Sequence, residues 1–150
     1  MLMDRLAQFA AAFDLDQEIG TFLLTSQIDL GAAAMDPGNG KQMYLNVVVD
    51  EAFTDGGDAA TLQLRLVSDD TAVIHDTTCT VHMLTGLILK AALTIGKRFS
   101  FALPASGTPY ERYLGVQALV ATAGFDAGQI TAWLGLEAIG DVKSYPDGAH

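Results

Sequence analysis

Between Lys97 and Glu137 the chain alternates apolar and other residues with period two in three successive segments. Phe99, Phe101 and Leu103 mark the first, Leu114, Val116, Ala118 and Val120 the second, and Ile130, Ala132, Leu134 and Leu136 the third. Side chains two apart on a strand share a face, so each segment predicts a strand with one face in a core. The intervening stretches ASGTPYE and AGFDAG carry the glycine, proline and aspartate that turns require.

The same period recurs upstream. Phe22, Leu24, Ser26, Ile28 and Leu30 share a face in residues 21–30, as do Leu45, Val47 and Val49 in MYLNVVVD and Leu62, Leu64 and Leu66 in TLQLRLVSD. The stretches AAAMDPGNGK and EAFTDGGDAA read as loops, with Pro37, Gly38, Asn39 and Gly40 as strong turn formers in the first. Between residues 70 and 96 the pattern supports a strand with Cys79, Val81 and Met83 inward, then one with Leu87, Leu89, Ala91 and Leu93 inward. LTGLILKAAL also fits a helix by pattern, and the alternation elsewhere favours strand. Residues 1–19 predict an N-terminal arm or a short helix. Leu2, Leu6, Phe9 and Phe13 have helical spacing, but the acids Asp14, Asp16 and Glu18 oppose the dipole at a helix C-terminus.

About eight short strands between turn-rich loops, with no alternation of strand and long helix, predict an all-β fold. The expected architecture is a two-sheet antiparallel β-sandwich over residues 20–138, preceded by the arm (1–19) and followed by a C-terminal tail (139–150). If Leu45, Leu64, Leu114 and Leu134 point inward, Tyr44, Val48, Val67, Tyr113, Leu119 and Trp133 point outward. Tyrosine and tryptophan are favoured at interface centres. Trp133, Tyr113, Tyr44, Leu119 and Val67 are therefore the candidate interface residues, unless loops or the arm cover them.

Half of the 150 residues are hydrophobic, an excess that suits either a membrane or a protein partner. The best apolar run, GLILKAALTIG, falls short of the roughly 20 residues a span needs and contains Lys90. A partner is expected, and no membrane. The net charge is −10, and apart from Lys97-Arg98 the basic residues are scattered singly. Phosphate binding needs a basic stripe, so direct nucleic-acid contact is not expected. Cys79 is the single cysteine, which excludes an intramolecular disulfide and a cysteine-based zinc site.

No convergent chemistry is legible. His75, Cys79 and His82 invite a metal test, but on a strand His82 points away from the other two, and metal ligands must converge. There is no H-x-H pair of the cupin type, no G-x-S-x-G, no P-loop and no G-x-G-x-x-G, and Ser106 has no identifiable base. Calcium at Asp36 or at Asp69-Asp70 is weighed against plain turn formation, which explains these acids more simply. Glu111 and Arg112 are adjacent and point to opposite faces of a strand. No cofactor, no metal and no catalytic set are expected.

The order Ala92-Leu93-Thr94-x-Gly96-Lys97-Arg98-Phe99, Leu103-Pro104, Glu111-Arg112-Tyr113-Leu114 and Phe125-x-Ala127-Gly128 carries a family resemblance. Ile28-Asp29-Leu30-Gly31-Ala32, Asp50-Glu51-Ala52-Phe53-Thr54, Ala60-Thr61-Leu62 and Ser68-Asp69-Asp70 fit the same order. Over residues 26–137 the chain resembles the small capsid-stabilising, or cement, proteins of short-tailed bacteriophages of the Bordetella-phage type. The resemblance implies jelly-roll connectivity and a virion structural protein; for such a protein the net charge of −10 suits the outer capsid surface, and the single cysteine fits assembly in the reducing bacterial cytoplasm. It also implies the major capsid protein as partner, self-association as a dimer rather than a trimer, and no enzymatic activity. A carbohydrate-binding sandwich, with Trp133 and Tyr113 stacking on sugar rings, is the second reading.

Overall fold

The computed structural model describes residues 8–30, 43–57, 59–103, 110–136, 138–139 and 141–142. The turn expected at Pro37 to Gly40, Asp36, Ser106 and the chain beyond residue 142 lie outside them. The described chain is built of strands: β1 (Gln8–Asp14), β2 (Gly20–Leu23), β3 (Ile28–Asp29), β4 (Tyr44–Thr54), β5 (Thr61–Asp69) and β6 (Thr80–Leu84). Then come β7 (Ile88–Leu89), a 3-10 turn at Lys90–Ala92, β8 (Arg98–Ala102), β9 (Tyr113–Ala121), β10 (Ala127–Gly135) and β11 (Asp141–Val142). Among the described residues no helix is long and apolar enough to cross a membrane.

Two sheets face each other. The first has the order β1-β10-β4-β8-β11, and the second β2-β9-β5-β6, with β3 on β9 and β7 on β5. All the pairings are antiparallel except the short one between β11 and β8. The eight main strands form two interleaved four-stranded sheets, a jelly roll. In each sheet a long central pair carries the alternation: β4 runs against β10 from Tyr44↔Gly135 to Thr54↔Ala127, and β5 against β9 from Thr61↔Ala121 to Asp69↔Tyr113. Their inward residues, among them Leu45, Val47, Leu62, Leu64, Leu66, Leu114, Val116, Ile130 and Leu134, meet in one core. Burying each such side chain contributes roughly 1.5–3 kcal/mol relative to exposure.

One end of the core is closed by Phe53 and Phe125, packed edge to face with ring centroids 4.8 Å apart. Gly128 makes room for them. Its φ is +150°, and a Cβ there would come within 2.5 Å of the Phe53 ring, so both conformation and space require glycine.

Several local expectations are corrected; Val81 and Leu136, expected inward, are exposed. Where residues 1–19 are described, the short helix gives way to strand β1, which lies on β10 as the edge of the first sheet. Register shifts between Gln8 and Ala10 and between Ala10 and Phe13, with Ala12 at φ +50°, break its alternation. Bulges therefore produce the helix-like spacing of Phe9 and Phe13. In residues 84–93, Leu93 is buried as expected, but Leu87, Leu89 and Ala91 are exposed and Ile88 is buried in their place. Strand β7 is only two residues long and passes into the 3-10 turn, so no single period spans the segment.

Candidate interaction surface

The five candidate interface residues fall on two sheets and do not form one patch. Tyr44 and Trp133 belong to β4 and β10 and lie diagonally across that pairing, since Trp133 is opposite Asn46 and Gly135 opposite Tyr44. Val67, Tyr113 and Leu119 belong to β5 and β9 in the other sheet. Tyr113, Leu119 and Tyr44 are partly exposed. The exposure expected of Val67 and Trp133 is corrected: they retain 0% and 7%, although neither belongs to the central core.

The chain itself covers both. Trp133 is flanked by Gln8 on β1 and Asn46 on β4. Beyond β10 the chain returns across this face. The Ile139 amide donates to Ser100 Oγ at 3.0 Å and lies 3.4 Å from Asn46 Oδ1, while Ser100 Oγ donates to that oxygen at 2.7 Å. Asn46 and Ser100 are thereby buried polar groups with partners. On the other sheet Val67 is opposite Gly115, and the Ile74 side chain lies against Gly115. The 70–79 loop is thus folded onto the outer face of β5 and β9. Arg65 fastens it, donating from Nε to Gln117 Oε1 at 2.5 Å and from Nη2 to the Asp76 carbonyl at 2.8 Å.

The polar residues singled out for chemistry hold this loop in place. Asp69 accepts from the amides of Thr71 and His75, each at 3.2 Å. Burial pushes its carboxyl up, yet those donors outweigh it and hold the pKa down to about 2. The trio weighed as metal ligands is divided: His75 Nδ1 lies 3.5 Å from Asp69, Cys79 Sγ lies 4.0 Å from Gln117, and His82 Nε2 lies 2.6 Å from Ser68 Oγ. Burial raises the pKa of the Cys79 thiol, which makes it a poor thiolate. Ser68 Oγ also accepts from the Glu111 amide, and the His82 ring stacks on Tyr110 at 4.1 Å. Ser68 is fully buried on β5 and links the Glu111 amide, just before β9, to His82 on β6. Carboxylates of Asp69, Asp70 and Glu111 approach within 4.8 Å of one another, but Asp69 is engaged by the loop amides and Glu111 by the Thr80 hydroxyl.

A cluster of exposed apolar residues lies elsewhere, along the β6–β7 edge, while Ile19, Val73, Ile95 and Leu136 are exposed at other places. Leu84, Leu87 and Leu89 are 56%, 63% and 62% exposed, and Val81 is exposed on the same edge. Beside them a cleft of about 630 Å³ opens between the two sheets, lined by Met83, Leu84, Ile88, Leu89, Phe99 and Phe101 among others. The alternation does not reveal it, because Leu87 and Leu89 carry the spacing of core residues. The run Leu84-Thr85-Gly86-Leu87, with its turn-forming centre, was the available signal.

The Bbp16 family model matches residues 19–134, which covers more than half of the chain and runs from before β2 to the end of β10. The chain belongs to the Bbp16 family. That match fits a family of Bordetella-phage proteins, in agreement with the motif order between residues 26 and 137. No curated protein matches this Bbp16 chain. The matched span takes in both central strand pairs, the 70–79 loop and the apolar edge; β1 and β11 lie outside it.

Proposed function

We propose that this Bbp16 protein is a non-enzymatic structural component of a bacteriophage virion. It attaches to the outside of the icosahedral shell and stabilises it by bridging major capsid subunits. The observation that carries this reading is family membership over nearly the whole sandwich. A body of two sheets about a single core is stiff, and a stiff body touching two subunits resists their separation under the pressure of packaged DNA. A standard interface buries about 800 Å² per partner, and repetition around a particle adds avidity to each contact. The net charge of −10 suits the outer surface better than the DNA-facing one. Self-association as a dimer extends the same reading and doubles the contacts each unit makes.

The carbohydrate-binding alternative loses its main support, because Trp133 is buried and offers no stacking platform. Co-sedimentation with purified shells, followed by cryo-electron microscopy of the decorated particle, tests the proposal. Saturable binding at regular lattice positions and retention of DNA on heating are expected. A protein that stays in the supernatant with intact shells overturns it.

A further inference from the structure

We propose that the C-terminal segment from Lys143 to His150 is an intramolecular strap, which extends β11 along β8 and closes over the apolar cleft at the β6–β7 edge. Closure of this strap does not depend on shell binding. The described chain ends at the wall of the cleft: β11 lies on β8 in parallel register, with Asp141 opposite Phe99 and Val142 opposite Ser100. Phe99, Ser100, Phe101 and Ala102 all line the cleft. The same register carried forward sets Lys143 opposite Phe101, Ser144 opposite Ala102 and Tyr145 opposite Leu103. The backbone of β8 is placed to receive them. The Leu103 amide donates to the Met43 carbonyl on the β4 side. Amides alternate in direction along a strand, so the Ala102 amide points to the free edge. Among the described residues nothing pairs with Ala102 on that side, and it is exposed.

Reach, sequence and tethering select this occupant. Alternation puts Lys143 and Tyr145 on the side of β8 that carries Phe99 and Phe101. Each has an apolar body and a polar tip, which suits the mouth of a cleft with leucines at its rim and water outside. Pro146 has no amide hydrogen to give, and Pro146-Asp147-Gly148 is a turn signal, so the ladder stops there and the chain bends. Packed sheets stand about 10 Å apart, and the residues from Pro146 to His150, at ~3.3 Å each, span that distance. They reach the exposed Leu84 and Leu87 on the far rim. Sheet edges are normally shielded by charge, proline or a covering segment, and Val81, Leu84, Leu87 and Leu89 supply no charge. A segment anchored at the cleft wall offers itself at an effective concentration on the order of millimolar. A second copy, or any other chain, arrives only at its own concentration and has to compete with it.

The test compares the full chain with a chain ending at Val142 and with the full-length variant Tyr145→Asp. Hydrogen exchange and binding of the apolar dye anilinonaphthalene sulfonate are measured over a range of protein concentrations. The Ala102 amide should exchange at least tenfold more slowly in the full chain than in the shortened one. Dye fluorescence should be several-fold lower in the full chain than in either variant. Unchanged exchange in β5 and β9 verifies that the variants fold. Should the shortened chain fail to fold, dye binding by Tyr145→Asp decides the matter alone. Protection of Ala102 that persists on dilution supports a strap within one chain. If Ala102 exchange and dye binding are the same in all three proteins, the segment does not close over the cleft and the proposal falls. If protection fades on dilution together with a fall in mass by light scattering, a second copy covers the edge and the proposal is overturned.

Discussion

The Ile74 side chain fills the space a Cβ at Gly115 would need: its Cδ1 lies 2.7 Å from that position, with Leu23 Cδ1 at 3.2 Å. A loop residue thus keys into the outer face of β9 at the one position without a side chain. Gly115→Ala is expected to displace the 70–79 loop and destabilise the protein by about 1–3 kcal/mol, the usual cost of overpacking. Ile74→Ala in the same chain should recover part of that loss, because the two residues share one space. Urea denaturation of the two single variants and the double variant measures the coupling. Strict additivity would show that the loop does not depend on this contact.

The loop is also tied down through Asp69, which gives it an acid limit. Its carboxyl pKa is held at about 2, below the ordinary 3.8, so the folded state favours the ionised form. A depressed carboxyl stabilises the fold above its unfolded pKa, and that contribution is lost as pH falls through the folded value. The window here is about pH 4 down to 2. Wild type should lose stability in that window relative to Asp69→Asn, and the two should converge at the acid end. Proteolysis within residues 70–79 should rise over the same range. Parallel pH curves for the two proteins would mean that Asp69 does not anchor the loop.

The legible part of the fold is the part where one period runs unbroken. Strands β5 and β9 pair without a shift over nine residues, so the alternation survives in the letters; β4 and β10 keep it between Leu45 and Val49 and between Ile130 and Leu134, while register shifts around Gln129 hide the strand beyond Asp50. It fails where backbone irregularities shift the phase. Phe9 and Ala10 are neighbours and both buried, which no regular strand with one buried face allows, and the β1 bulges account for it. The outward faces were legible as directions but not as surfaces. Val67 and Trp133 leave the core side as expected, yet the 70–79 loop folds onto the face that carries Val67, and Trp133 is flanked by β1 and β4. The loop has no apolar period to announce where it lands. Conversely, Leu87 and Leu89 look like core by composition and become surface because β7 is so short.

Ser100 Oγ is the joint between the first sheet and the returning chain, donating to Asn46 Oδ1 and accepting from the Ile139 amide. Ser100→Ala removes the hydroxyl from a site only 1% exposed. The loss is expected to be about 1–3 kcal/mol, the cost of leaving a buried polar group short of a partner. Faster amide exchange at Ile139, with unchanged exchange in β5 and β9, would place the damage locally. Unaltered exchange at Ile139 would show that the returning chain is held by other contacts.

Trp133 supplies the sharpest contrast between exposed and covered. It is 7% exposed, and among the described residues its indole Nε1 has no hydrogen-bond partner. The free protein should therefore emit at short wavelength and resist quenching by acrylamide. Trp133→Ala should cost about 3–5 kcal/mol, as large-to-small changes at buried aromatic sites do. Trp133→Phe should cost far less, because it keeps most of the apolar contact and deletes a donor that makes no bond here. Shell binding by Trp133→Phe should then equal that of wild type. Red-shifted, readily quenched emission from the free protein, or a Phe variant that folds normally but no longer binds shells, would return Trp133 to the surface as a contact residue.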